Sequence, residues 1–247
     1  MFWIYALLGT IQGILEWLPI SSEGMVALAS NWLVSGNPVD TALFLHLGTM
    51  LAVLIYFRKD WKRIILLKDK KLLRFLTIAT LISLAVGFPV YKLVRNVAVG
   101  NTLLLITGLG LLVTAYFHKK KINWSLDQNS LAGIAGFLQG LSVIPGFSRS
   151  GSTIFGLSLS DKKPEEILRL SYLMSVPVVV AFNAYYLLFG DPTLSWREGL
   201  IALSFSFGVG VLGLFLLLKF VKKINFFKFA LFFGLVCSIG ALTGFLL

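Results

Sequence analysis

Three features of the sequence predict an all-α polytopic membrane protein, with six spanning helices and two re-entrant helical hairpins arranged as an inverted repeat. Apolar residues make up 57% of the 247 and charged residues only 13%, with a mean hydropathy of +0.86, whereas a soluble domain has roughly 45–50% apolar and about 25% charged residues. Six apolar runs approach the length of about 20 residues needed to cross the hydrocarbon core. Two further apolar stretches are interrupted midway by Pro, Gly and Ser.

The first interrupted stretch, residues 2–33, has Pro19 and the run Ser21-Ser22-Glu23-Gly24 at its centre. A proline disrupts the helical hydrogen-bond ladder, so this stretch is predicted to dip into the membrane and return on its own side. Spans follow at 41–57, 73–91 and 101–117. The second interrupted stretch, 131–159, breaks around Pro145, and spans at 167–188, 199–218 and 229–247 complete the set. Irregular backbone at membrane depth is tolerated only where protein buries it or a wet cavity adjoins it. No basic cluster precedes the N-terminal apolar stretch and no cleavage site follows it, so it is expected to be retained.

Charge sets the topology. Eight Lys and Arg fall between Arg58 and Arg74, three at Lys119 to Lys121, two at Lys162 and Lys163, and four among Lys219, Lys222, Lys223 and Lys228; the alternate loops hold only Lys92, Arg95 and Arg197. This is the positive-inside bias of a multi-pass cell-membrane protein, so the formal net charge of +11 does not indicate a nucleic-acid partner. With basic loops in the cytoplasm, the first three spans run opposite to the last three. One membrane domain, 1–247, is therefore expected to consist of two inverted halves, 1–121 and 122–247. The interrupted stretches resemble each other as well: Gly9-Thr-Ile-Gln-Gly13 matches Gly136-Phe-Leu-Gln-Gly140, and with one gap Pro19 pairs with Pro145 and Ser22 with Ser148. Inverted repeats with broken helices place a site near the midplane. Cys237, the single cysteine, excludes disulfides and cysteine metal sites.

The chemistry-bearing residues lie at the breaks. Glu16 and Glu23 are the only charges in the first interrupted stretch and Arg149 the only one in the second. An ionised side chain at the bilayer centre costs about 2.5–3.5 kcal/mol on insertion scales, so each needs a partner, a cavity or a ligand. An ion pair between Glu16 and Arg149 that ties the hairpins together is the structural alternative to a catalytic role. Gln12 and Glu16, four apart, share a helical face and are expected to offer oxygen ligands to a divalent cation, Mg²⁺ or Ca²⁺. One of Ser21 and Ser22 is expected to cap the following helix, leaving the other for chemistry. The segment Pro145-Gly-Phe-Ser-Arg-Ser-Gly-Ser-Thr153 packs four hydroxyls, a guanidinium and two glycines into nine residues. It suits an anion, through free N–H groups, a helix dipole and a bidentate arginine.

With these residues the chain resembles the undecaprenyl-diphosphate phosphatase family of the bacitracin-resistance type. Gln12 to Glu16 fits its (E/Q)xxxE pattern, and Pro145 to Thr153 fits PGxSRSxxT in full. The likeness runs through most of the chain, including the His46-Leu-Gly-Thr-Met-Leu-Ala-Val stretch. It implies six spans with two re-entrant hairpins and hydrolysis of a polyprenyl diphosphate to its monophosphate at an outward-facing site. By position, Glu16 corresponds to the family's essential acid, Ser22 to the serine beside the diphosphate, and Ser148, Arg149, Ser150 and Thr153 to its phosphate binders. One match fails: Met25 stands where the family usually has a histidine proposed as base or nucleophile. A thioether can do neither, which leaves Glu23, Glu16 alone, or a loss of activity. His46 lies where the family also accepts glutamine and is read as a helix residue; His118, at a cytoplasmic helix end, is read as structural.

The expected mechanism has the diphosphate held by Arg149, Ser148, Ser150 and Thr153, with Ser21 and Gly146 beside them, while a divalent cation on Glu16 and Gln12 bridges its oxygens. Water or Ser22 attacks the terminal phosphorus and Glu16 or Glu23 removes the proton. The rival expectation is a prenyl-phosphate flippase, since broken-helix repeats also build transporters.

Overall fold

The computed structural model describes residues 2–18, 21–98, 100–119, 126–189, 195–220 and 226–246. Pro19, Lys120, Lys121, Lys222 and Lys223, used above to place a break and two basic loops, lie outside the described residues, as does the side chain of His118. The described residues form eleven α-helices and no strand: α1 (Phe2–Leu15), α2 (Ser22–Leu33), α3 (Pro38–Tyr56), α4 (Arg58–Ile65), α5 (Lys70–Val97), α6 (Gly100–Lys119), α7 (Gln128–Leu141), α8 (Arg149–Ser158), α9 (Pro164–Phe189), α10 (Trp196–Phe220) and α11 (Phe226–Leu246).

Helix length separates hairpins from spans. α1 and α2 have 14 and 12 residues, and α7 and α8 have 14 and 10. At about 1.5 Å per residue none exceeds about 21 Å, short of the roughly 30 Å hydrocarbon core. α1 packs on α2 and α7 on α8, so each pair is a broken hairpin. α3, α5, α9 and α10 are each long and apolar enough to cross a membrane. α6 and α11, of 20 and 21 residues, carry the shorter apolar segments Asn101–Tyr116 and Leu231–Phe245. The all-α polytopic architecture is thus as the sequence predicts.

Two elements differ from expectation. α5 extends beyond 73–91 by three residues at its start and six at its end; Asp69 caps its start, its side chain accepting from Leu72 N at 3.0 Å, and Pro89 lies within the helix. α4 occupies part of the basic stretch that reads as a loop. Ile64 is buried, Trp61 packs with it in the core, and Asp60 accepts from Arg169 of α9 at 2.6 Å. Helical spacing places this apolar pair on one face and leaves the basic residues outside.

The helix pairs recur in the two halves. α1 packs on α10 as α7 does on α5, and α2 on α3 as α8 does on α9; α3 packs on α9, and α6 on α11. In α3, 61% of the spanning window is buried, against 28% in α5 and in α10, so α3 is the central span and its polar residues are internal. Glycines permit the closest approaches. A Cβ on Gly13 would stand 2.8 Å from Gly210 N of α10, and one on Gly140 would stand 2.7 Å from Val86 Cβ of α5. Alanine at Gly13 or Gly140 should therefore lower the thermal unfolding midpoint of the detergent-solubilised protein, through an overpacking penalty of about 1–3 kcal/mol. Gly208→Ala, where nothing lies within 4 Å of the added carbon, should not. Equal midpoints for all three variants would contradict this packing.

Candidate functional site

The hairpin breaks meet in the interior. Ser21 caps α2, its Oγ accepting from Gly24 N at 3.0 Å, and the same oxygen accepts from Gly146 N of the second break at 2.9 Å. Ser148 caps α8 by accepting from Gly151 N at 3.1 Å. By cap position Ser148 therefore matches Ser21, not Ser22 as the sequence alignment pairs them, because the first break is one residue out of register. The second turn is positioned from α6 as well: Thr114 Oγ1 donates to Gly146 O at 3.2 Å and accepts from Ser148 N at 3.1 Å. Gly146 has φ +91°, a conformation that glycine adopts without a Cβ penalty. The first turn is met in return: Ser150 Oγ donates to Leu18 O at 2.9 Å and Tyr172 Oη to Trp17 O at 3.2 Å. Backbone groups freed by the breaks are thereby paired inside protein, as membrane depth requires.

Capping by Ser21 leaves Ser22 free, and its Oγ donates to Glu16 Oε2 at 2.8 Å. Gln12 Nε2 donates to the same oxygen at 2.8 Å, His46 Nε2 lies 3.2 Å from it, and Arg149 Nη2 pairs with Oε1. A carboxylate that is 4% exposed thus has four polar partners, one of them a guanidinium, which offsets its desolvation. Arg149 Nη1 also donates to Ser171 O of α9 at 3.3 Å. His46 Nδ1 is 2.9 Å from Ala42 O, a contact that turns the ring so that Nε2 faces Glu16.

Glu16, Ser21, Ser22, Glu23, His46, Ser148, Arg149 and Ser150 line one polar cleft with about 210 Å³ of empty space. The structure therefore gathers most of the predicted site residues. Thr153 does not line the cleft: its hydroxyl is 2.6 Å from Ser171 Oγ and donates to Arg149 O at 2.8 Å, which fixes α8 against α9. Ser21 lines the cleft, yet its oxygen already takes two backbone donors, and Gly146 contributes one of them. His46 is the residue that the sequence reading placed outside the site. An ionisable side chain within a spanning helix is itself the signal for it. Met25 lies elsewhere, lining an apolar groove with Ile14, Leu104 and Val236.

A divalent cation was expected on Glu16 and Gln12. Gln12 turns its amide nitrogen toward Glu16, and its amide oxygen is buried without a hydrogen-bond partner. The second carboxylate in the cleft is Glu23, buried, with Oε1 unpartnered. Among the described residues no three His, Cys, Asp or Glu side chains form a cage. Two carboxylates in one cleft are oxygen donors of the type that a hard divalent cation takes.

Residues 5–239 match the family described as Bacitracin resistance protein BacA. The chain belongs to this family. Three similar proteins carry the name undecaprenyl-diphosphatase. One from Haloarcula marismortui is 35% identical over 96% of both chains, one from Methanothrix thermoacetophila 36% over 93% of both, and one from Sulfurisphaera tokodaii 35% over 90% of both. Family membership covers nearly the whole chain, both hairpins included.

Ser21→Ala should destabilise the protein by about 1–3 kcal/mol, because it orphans two buried N–H groups. Ser22→Ala removes one donor from a carboxylate that keeps three other partners and should shift the unfolding midpoint less. A reversed order of the two midpoints would contradict the division of labour between these serines.

Proposed function

We propose that the protein hydrolyses undecaprenyl diphosphate, or a related polyprenyl diphosphate, to the monophosphate and inorganic phosphate. This regenerates a lipid carrier for cell-envelope glycan synthesis. The observation that carries the reading is the cleft itself, in which a hydroxyl on a buried carboxylate faces an arginine and two further serines at a helix N-terminus. The protein sits in the cell membrane with the cleft reached from the outer side. The repeated helix pairings support two inverted halves, 1–121 and 122–247, with one hairpin from each.

Arg149 leaves Glu16 for the terminal phosphate, which Ser148 and Ser150 also hold with the α8 N-terminus. Ser22 Oγ attacks the terminal phosphorus as its proton passes to Glu16 Oε2. The bridging P–O bond breaks and the polyprenyl monophosphate departs with the electron pair. Water then cleaves the phosphoserine, releasing inorganic phosphate, with Glu16 and His46 carrying the protons. A nucleophile within hydrogen-bond reach of a base that other groups orient is the arrangement such catalysis requires. Glu16 and Glu23 are the residues that would hold Mg²⁺ or Ca²⁺, which supplies charge neutralisation to the diphosphate. His46 fills the role left open by Met25, because it reaches Glu16 whereas Met25 lines the other groove.

Phosphate release from a long-chain polyprenyl diphosphate by purified protein in detergent tests this reading. Glu16→Gln and Arg149→Ala should each lower kcat by about 10³-fold or more, and His46→Gln by about 10²–10⁴-fold. Met25→His should restore nothing in the His46→Gln background. Acid quenching during turnover should trap phosphate on Ser22. Lipid moved unchanged between leaflets of sealed vesicles, with no phosphate released under any metal condition, would replace hydrolysis with transport.

A further inference from the structure

The polar cleft is too small for more than a head group, so the lipid chain has to leave it. Two sets of apolar cavities lie nearby. The larger, with about 1230 Å³ of empty space, is the groove holding Met25, Leu104 and Val236. It shares no lining residue with the polar cleft. The other set begins with a cavity of about 500 Å³ whose wall includes Glu23, His46 and Arg149, three residues of the cleft itself. That cavity runs on past Val143, Val178 and Phe182, which also line a third, of about 450 Å³, reaching Leu84, Phe88 and Tyr185. Phe88 is 39% exposed, so the path ends at the protein surface between α5 and α9.

Connectivity decides between the two, not volume. The first carbons of a prenyl chain lie within a few bond lengths of the phosphate, so only a corridor that shares walls with the phosphate site can receive them. Beyond Glu23, His46 and Arg149 the walls are mainly apolar, with Gln139, Ser142 and Ser175 among them, and aromatic packing fixes the outer part. Phe88 and Tyr185 meet edge to face at 4.8 Å, and Tyr91 and Phe182 at 5.1 Å. The outer walls, lined by Val143, Val178, Phe182, Leu84 and Phe88, suit an unsaturated branched hydrocarbon. Resting on the phosphatase reading above, we propose that the polyprenyl chain of the substrate lies in this α5–α7–α9 corridor, from Val143 and Val178 out to Phe88, and not in the Met25 groove.

The test is photolabelling of the wild-type protein, in phosphatidylglycerol vesicles, with a long-chain polyprenyl monophosphate that carries a diazirine in its first isoprene unit. Peptide mapping should place adducts at Val143, Val178 or Phe182, competed by unlabelled polyprenyl phosphate. Adducts at Leu104 or Val236, or labelling that excess phosphatidylglycerol removes equally well, would overturn the proposal. In a second arm, Val178→Trp should lower the preference for a long-chain over a five-carbon prenyl diphosphate, measured as the ratio of kcat/KM values, by about tenfold. That is the effect of excluding roughly two methylene-sized groups from an apolar site. Ala29→Trp, on the wall of the other groove, should leave the ratio as in wild type. A ratio lowered by Ala29→Trp and untouched by Val178→Trp would also overturn the corridor. If wild-type protein releases no phosphate from either substrate yet labels at Val178, the phosphatase reading fails while the corridor stands.

Discussion

The carboxylate of Glu16 is the charge around which the rest of the interior is arranged. Buried in the centre of a membrane protein, it would be costly without compensation, and its four partners come from three separate parts of the chain. Gln12 and Ser22 belong to the first hairpin, His46 to the central span α3, and Arg149 to the second hairpin. Each half of the chain brings one member of the Glu16–Arg149 pair, so neither can bury its charge without the other. The ion pair that ties the hairpins together is also the pair on which the proposed chemistry rests.

A second constraint is the backbone of the two breaks. Each exposes N–H and C=O groups at membrane depth, and each is satisfied mainly by the opposite hairpin or a neighbouring helix: Ser21 serves Gly146, Ser150 serves Leu18, and Thr114 of α6 serves both faces of the second turn. Close approach follows from small residues. A Cβ on Gly24 would stand 2.6 Å from Gly146 N, and one on Gly110 2.7 Å from Gly146 C. The glycines that look like simple helix breakers in the sequence are therefore also the surfaces on which the breaks dock.

Much of this was legible in the sequence, and the residues show why. Spans and hairpins follow from hydropathy, Pro145 and loop charge, because the bilayer imposes one-dimensional rules. Glu16, Glu23 and Arg149 stand out because a lone charge in an apolar stretch has to be explained. What was missed depends on three-dimensional neighbours. His46 follows Glu16 by thirty positions, and only the packing of α3 against the first hairpin brings it there. The division between Ser21 and Ser22 turns on which residue begins α2, a one-residue matter that spacing does not resolve. α4 was hidden because its basic residues dominate the composition, while only Trp61 and Ile64 report its buried face.

The resting arrangement also explains how one arginine can serve two partners. A diphosphate entering the cleft competes with Glu16 for Arg149, and a competition of this kind would be prohibitive if it left the carboxylate bare. Glu16 would keep Gln12, Ser22 and His46, all on Oε2, while Oε1 is released. The freed oxygen lies in a cleft with the unpartnered Oε1 of Glu23, so the negative potential there rises as Arg149 departs. A cation accompanying the diphosphate would answer that change, and the transferred proton of Ser22 would answer it further. In the proposed mechanism substrate binding and activation of the base would be one exchange: the guanidinium paired with Glu16 would be the group that grips the phosphate. Its departure would open Oε1 while Oε2 keeps Ser22, the donor whose proton would have to move.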